Sequence, residues 1–178
     1  MLNFRALWSQ ALPFEEFVAT SAVQYRGLWE TIHRLARVPA WAETMLPPGQ
    51  ARRLLVIAED WCGDASNTVP VLNRWVESVS GMSLRIIRRD EHPEVMNRYL
   101  TNGARSIPIV IVLDEDFQEL GHWGPRPAEL QAWVMANRAT MPKDARYKET
   151  RRWYARDHGE STIREVSAVL GVRERVGG

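Results

Sequence analysis

Apolar positions change their period several times along the chain, and each change marks an element. Over residues 13–38, Phe14, Phe17, Val18, Tyr25, Leu28, Trp29, Ile32 and Leu35 recur at helical spacing, with Pro13 suited to a first turn and Pro39 to a stop. The pattern predicts one long amphipathic helix whose aromatic stripe covers a sheet or its edge. Pro47-Pro48-Gly49 marks a turn. Residues 54–58 are then continuously apolar, as in a strand buried on both faces. Val69, Leu72, Val76 and Val79 restore helical spacing, which predicts a helix over 64–80.

A second buried strand is expected over 82–88, around Leu84, Ile86 and Ile87. A short helix over 90–100 follows, with Pro93 in its first turn and Gly103 as its C-terminal cap. Residues 107–113 and 117–123 read as strands joined by Asp114-Glu115-Asp116 into a hairpin. Gly124-Pro125-Arg126-Pro127 breaks the sheet before a closing helix marked by Leu130, Trp133, Val134 and Asn137. Alternating strands and helices predict a parallel pair at the centre of an α/β sheet.

Beyond residue 142 the character shifts. Residues 143–157 hold six basic side chains against three acidic ones, with Tyr147, Trp153 and Tyr154 interleaved. Such a stretch can face nucleic acid, yet it equally describes an amphipathic helix with a solvated charged face, and we read it as the latter. Thr162-Ile163-Arg164-Glu165 has capping-box spacing, and Ile163, Val166, Val169 and Leu170 predict a last short helix before a frayed Gly177-Gly178 end. The chain therefore divides into a helical extension (1–50), an α/β domain (51–141) and a helical, basic tail (142–178).

Composition narrows the function classes. At 178 residues and 45% hydrophobic, the chain has enough apolar content for one domain with extensions. A net charge of +1 supplies no broad attraction to nucleic acid or to an acidic membrane. A single cysteine excludes an internal disulfide and a multi-cysteine zinc site. His33, His92, His122 and His158 are far apart, so no metal site is expected, and no glycine-rich phosphate loop follows a strand. The N-terminus is broken by Arg5, Pro13, Glu15 and Glu16, unlike a signal peptide, and no apolar run reaches membrane length. A cytoplasmic protein is the expectation.

The candidate chemistry lies in Trp61-Cys62-Gly63-Asp64, where the one cysteine falls between a predicted strand and a predicted helix. Unpaired N–H groups and the dipole at a helix N-terminus favour a thiolate. This stretch resembles the active-site turn of thioredoxin-like proteins, Trp-Cys-Gly-x-Cys leading into a helix kinked by proline. Pro70 matches the kink, and Ala65 stands where the second cysteine would be. Arg105-Ser106-Ile107-Pro108 and Gly124 match two further landmarks of that family, and the element order over 51–140 matches its fold.

The resemblance implies a thioredoxin-like α/β fold, with a central mixed sheet flanked by helices. It implies that Cys62 is the nucleophile and that Pro108 is a cis proline facing it. Substrate would lie against Trp61, Gly63, Asp64, Ile107, Pro108 and Gly124. The position of the buried acid that assists dithiol chemistry is Val56 here, and Ala65 cannot resolve a mixed disulfide. Monothiol exchange remains, with glutathione or another external thiol as resolving partner, no resident cofactor, and protein or small-molecule thiols and disulfides as partners. The alternative is a non-catalytic module that binds a peptide or protein in the same groove. Iron–sulfur binding by a dimer is a third reading, disfavoured because the residues after the cysteine follow a different motif.

Local electrostatics predict a mild thiol. The helix terminus contributes ~0.3–1 kcal/mol toward the thiolate, and Asp64 repels it by something on the order of 1 kcal/mol. Arg105 is expected to favour the thiolate, Glu59 and Asp60 to oppose it, and all three carboxylates to be solvated. Cys62 is thus expected to be accessible and to titrate modestly below a free thiol.

Overall fold

Four strands form one mixed sheet in the computed structural model, which describes residues 2–171. The central strand β1 (Arg52–Ala58) pairs in parallel with β2 (Met82–Arg88), Leu54 opposite Leu84 and Ala58 opposite Arg88. On its other side β1 pairs antiparallel with β3 (Ile109–Leu113), which forms a hairpin with β4 (Glu119–Trp123). The sheet order is β2-β1-β3-β4. Leu54 to Ala58 and Val110 to Leu113 are fully buried, as continuous apolar runs at the centre of a two-sided sheet must be.

The long N-terminal helix expected over 13–38 is instead two helices, α2 (Phe14–Thr20) and α3 (Val23–Leu35), preceded by a third, α1 (Phe4–Gln10). Ser21 and Ala22 are extended, and their polar groups explain the break. Ser21 Oγ donates to the Phe17 carbonyl, and the Ala22 N–H is taken by the Asp60 carboxylate at 2.8 Å, a partner 38 residues away. Side-chain competition for backbone groups ended the helix.

The stripe is divided accordingly. Phe14, Phe17, Val18 and Trp29 are buried, with α2 against β2, while Leu28 and Leu35 are exposed. Between α1 and α2, Leu12 makes a two-bond antiparallel bridge to Ile86, a one-residue pairing at the outer edge of β2.

Helix α4 (Ala40–Glu43) leads to β1, and after it α5 (Gly63–Ser78) carries Pro70 in its interior. α3 lies along α5, where Trp75 is fully buried and its Nε1 donates to the Ala42 carbonyl at 3.0 Å. The helix expected over 90–100 is shorter, a single turn α6 (Pro93–Met96). Gly103 serves a tight turn, in which Thr101 and Ala104 exchange both backbone hydrogen bonds and Asn102 and Gly103 have positive φ. Phe117 is also at positive φ, so β4 begins at Glu119 rather than at 117.

Helices α7 (Ala128–Asn137), α8 (Lys143–Asp157) and α9 (Glu160–Val169) complete the chain. The capping box at Thr162 is not formed. Gly159 is the N-cap, and Asp157 accepts from the Ser161 N–H, so Thr162 lies inside α9 and is buried. Glu165 bonds Trp123 Nε1 at 2.7 Å and the Ala128 N–H at 2.8 Å, tying α9 to β4 and α7. Ile163, Val166 and Leu170 thereby join the core. The expected Gly-Gly end lies outside the described residues.

Candidate functional site

β1 ends at Ala58, and the chain turns through Glu59-Asp60-Trp61 to place Cys62 as the N-cap of α5. The strand runs up to the site, the helix runs away from it, and the Ile107–Pro108 peptide, which is cis, faces it. Cys62 Sγ lies 3.5 Å from the Ile107 carbonyl oxygen, to which the thiol donates. Gly124, at φ +129°, packs directly on Pro108: a Cβ there would sit 2.2 Å from the Pro108 oxygen. The three segments named from sequence thus converge. Trp61 is 47% exposed on the rim, with the Arg89 guanidinium 5.0 Å from its ring centre. Gly63 opens α5, and a Cβ there would meet nothing.

Electrostatics depart from expectation in three ways. First, Cys62 is buried, 8% exposed, and its thiol is pushed up to about 11. Loss of hydration is the main cause, Asp64 adds to it, and the N–H groups of Ala65 and Asp64 together with Arg126 only partly offset it. The expectation of an accessible, mildly acidic thiol is overturned.

Second, Asp64 is not a solvated first-turn carboxylate. Its Oδ2 pairs with Arg126 at 2.7 Å, and its Oδ1 accepts from the Tyr154 hydroxyl at 2.9 Å. Burial raises its pKa while Arg126 and Tyr154 pull it back. Tyr154 is held well above the usual phenol range, by burial and by the neighbouring carboxylate.

Third, Arg126 replaces Arg105 as the cation of the site. Arg105 Nε donates to Asn97 at 3.0 Å, and the cation that favours the Cys62 thiolate is Arg126. Glu59 and Asp60 are both engaged by main-chain N–H groups rather than solvated. Glu59 is buried, accepts from the Asp90 N–H at 3.0 Å and has its pKa raised chiefly by burial, while Asp60 is committed to Ala22.

Sequence reasoning missed Arg126 and Tyr154. An arginine clamped between Pro125 and Pro127, immediately after the groove glycine, was a usable signal, because two prolines restrict where its backbone can lead. Nothing distinguishes Tyr154 from Tyr147 or Trp153 in a one-dimensional pattern. Among the described residues, no group of three or more His, Cys, Asp or Glu side chains could hold a metal ion, and no helix is long and apolar enough to cross a membrane.

The buried thiol has a kinetic signature. A thiol at about 11 rather than the ordinary 9.0 carries about a hundredfold fewer thiolates at neutral pH. Iodoacetamide alkylation of the folded protein is therefore expected to climb about tenfold per pH unit from pH 7 to 10. A rate that levels off above about pH 9 would show an ordinary exposed thiol. The sign for stability is the reverse: the unfolded chain loses this proton at lower pH than the folded one, so Cys62 lowers stability as pH rises from about 9 toward 11.

Similar folds are known. A protein of unknown function from Pseudomonas aeruginosa superposes with TM-score 0.75 at 22% identity, over 96% of this chain and 98% of that one. An HIV epitope-scaffold superposes with TM-score 0.75 at 21% identity over the same shares. At these identities the likeness is one of fold. No curated protein matches the chain. The thioredoxin family profile matches residues 11–147, from the Leu12 bridge through β1, the Cys62 turn and the hairpin into α8, and the chain belongs to the thioredoxin family.

Proposed function

We propose that this protein is a single-cysteine thiol–disulfide exchange protein whose thiol is held protonated at rest. The observation that carries the reading is the placement of Cys62: a lone thiol at the N-cap of α5, 3.5 Å from the carbonyl that precedes Pro108. In the exchange, the Cys62 thiolate attacks one sulfur of a disulfide R–S–S–R. A Cys62–S–S–R bond forms, the old S–S bond breaks, and the departing R–S⁻ takes up the proton that Cys62 gave up. Ala65 offers no second thiol, so an external thiol R′–SH attacks, as its thiolate, the R sulfur of the Cys62-linked disulfide; R′–S–S–R leaves, and the freed Cys62 thiolate takes up the proton that R′–SH gave up. Sulfur oxidation levels balance over the cycle. Small-molecule or protein thiols and disulfides are the partners, and a cytoplasmic setting would supply the reducing thiol.

A second reading has its own observation. Burial and the elevated thiol pKa suit a non-catalytic module that keeps the groove beside Trp61 and Pro108 for binding. Glutathione-dependent reduction of a mixed disulfide separates the two. Exchange that is present in the wild type and lost at least about a hundredfold in Cys62→Ser is the expected result, since a hydroxyl cannot form the disulfide. Equal rates in both proteins would leave only the module.

A further inference from the structure

Thiol chemistry leaves one groove beside the site unexplained. It encloses about 290 Å³ between the Thr101–Ala104 turn, α7 and α8, near the lower end of the range for small-molecule clefts. Asp64 and Ser106 line it, the former two residues past Cys62 and the latter two ahead of Pro108. The groove therefore adjoins the thiol's own turn and the cis-proline segment that faces it.

The charges on its wall do not balance. Arg126, Arg138 and Arg146 line the groove, and the one carboxylate among its lining residues is Asp64. Both Asp64 oxygens are engaged, one by Arg126 and the other by Tyr154. Among the described residues neither Arg138 nor Arg146 pairs with a carboxylate. Arg146 is nonetheless held in place, because its Nη1 donates to the main-chain carbonyls of Arg138 at 3.1 Å and Met141 at 2.5 Å. Asn102 and Thr150 add neutral hydrogen-bonding groups. Two guanidinium groups without a counter-charge, one of them pre-positioned by carbonyls, favour an oxyanion, which an arginine fork recognises bidentately.

We propose that this groove binds the carboxylates of a low-molecular-weight disulfide or thiol. The volume suits one half of such a molecule better than a folded acidic partner. The inference rests on the exchange reading only for what happens next to the bound sulfur, and the binding stands by itself.

The test uses the full chain carrying Cys62→Ser, in which no exchange can occur. It is titrated by calorimetry with oxidised glutathione, which carries carboxylates on both halves, and with cystamine, a disulfide with ammonium groups and no carboxylate. The expected result is that oxidised glutathione binds, that Arg138→Gln weakens it about tenfold or more, and that raised salt weakens it further, while cystamine shows none of this. Arg138 is exposed and bonded through its side chain to no described residue, so its substitution leaves the fold intact.

Equal affinity for the two disulfides, no measurable binding of oxidised glutathione, or no effect of Arg138→Gln would overturn the proposal. A wild type that binds oxidised glutathione through Arg138 and never exchanges would uphold the groove and remove the exchange reading. A wild type that exchanges both disulfides with the same KM would uphold exchange and remove the groove.

Discussion

Replacing Arg126 with methionine is expected to cost about 3 kcal/mol of unfolding free energy, the lower end of the loss typical when one partner of a buried ion pair is removed, because the Arg126 side chain is still 21% exposed. Arg126 spans the site, with Nη2 on Asp64 at 2.7 Å and Nη1 on Gln131 at 2.8 Å. Methionine fills much of the same volume but leaves the Asp64 carboxyl, whose side chain is 12% exposed, with only the Tyr154 hydroxyl. Without the cation that pulls it back, the Asp64 pKa rises further above its ordinary value.

That rise gives the variant a pH signature. In the unfolded chain Asp64 ionises near its ordinary 3.8, while in the folded variant it holds its proton to higher pH. Folding stability contributed by this group is therefore complete below the unfolded value and is lost as pH climbs from about 4 toward the raised folded value. Urea denaturation at pH 4 and pH 7 should show the larger deficit at pH 7. The double variant Asp64→Asn with Arg126→Met, which removes both charges, should recover most of the loss. A single-variant deficit below about 1 kcal/mol at pH 7 would mean that the pair behaves as a solvated surface bridge.

Gly124→Ala should be comparably damaging for a steric reason. An added Cβ would lie 2.2 Å from the Pro108 oxygen, 3.2 Å from the Pro108 carbonyl carbon and 3.3 Å from Ile109 Cα. All three are main-chain atoms at the start of β3, so no flexible side-chain end can move aside. The backbone at φ +129° is also a conformation that only glycine adopts without strain. The expected cost exceeds about 3 kcal/mol, or roughly 6–12 °C in Tm for a chain of this size. Because the clash is with Pro108, the groove opposite Cys62 would shift as well. Gly63→Ala is the control. A Cβ there meets nothing within 4 Å, and alanine in a helical turn is neutral to mildly stabilising, by up to about 1 kcal/mol. A Gly124→Ala protein that melts within about 2 °C of the wild type would show that the Gly124–Pro108 contact can relax.

The two glycines show how far sequence carries. Both were legible as members of the site from their motifs, yet only one is sterically required, and that depends on what lies across from it. The same holds for the carboxylates of the turn. Glu59, Asp60 and Asp64 look alike as loop and first-turn acids, but one accepts from Asp90, one ends the helix at Ala22 and one anchors Arg126. Arg105 lies three residues before Pro108 in sequence, whereas the guanidinium that reaches the site comes from the Pro125–Pro127 segment.

Sequence by itself determined the elements whose cause is local. Continuous apolar runs dictated the buried strands β1 and β3, three- and four-residue spacing dictated α5, α7 and the apolar face of α9, and the strand-to-helix junction placed Cys62 at a helix N-terminus. Tertiary structure alone decided the state of the thiol and the composition of the site. Solvent exclusion at Cys62 is produced by segments distant in the chain, and Asp64 is met by a hydroxyl 90 residues away on α8. Hydration is lost only when those segments close together. A periodic pattern records which face of an element is apolar, but it carries no term for the water that a distant side chain displaces from a charge.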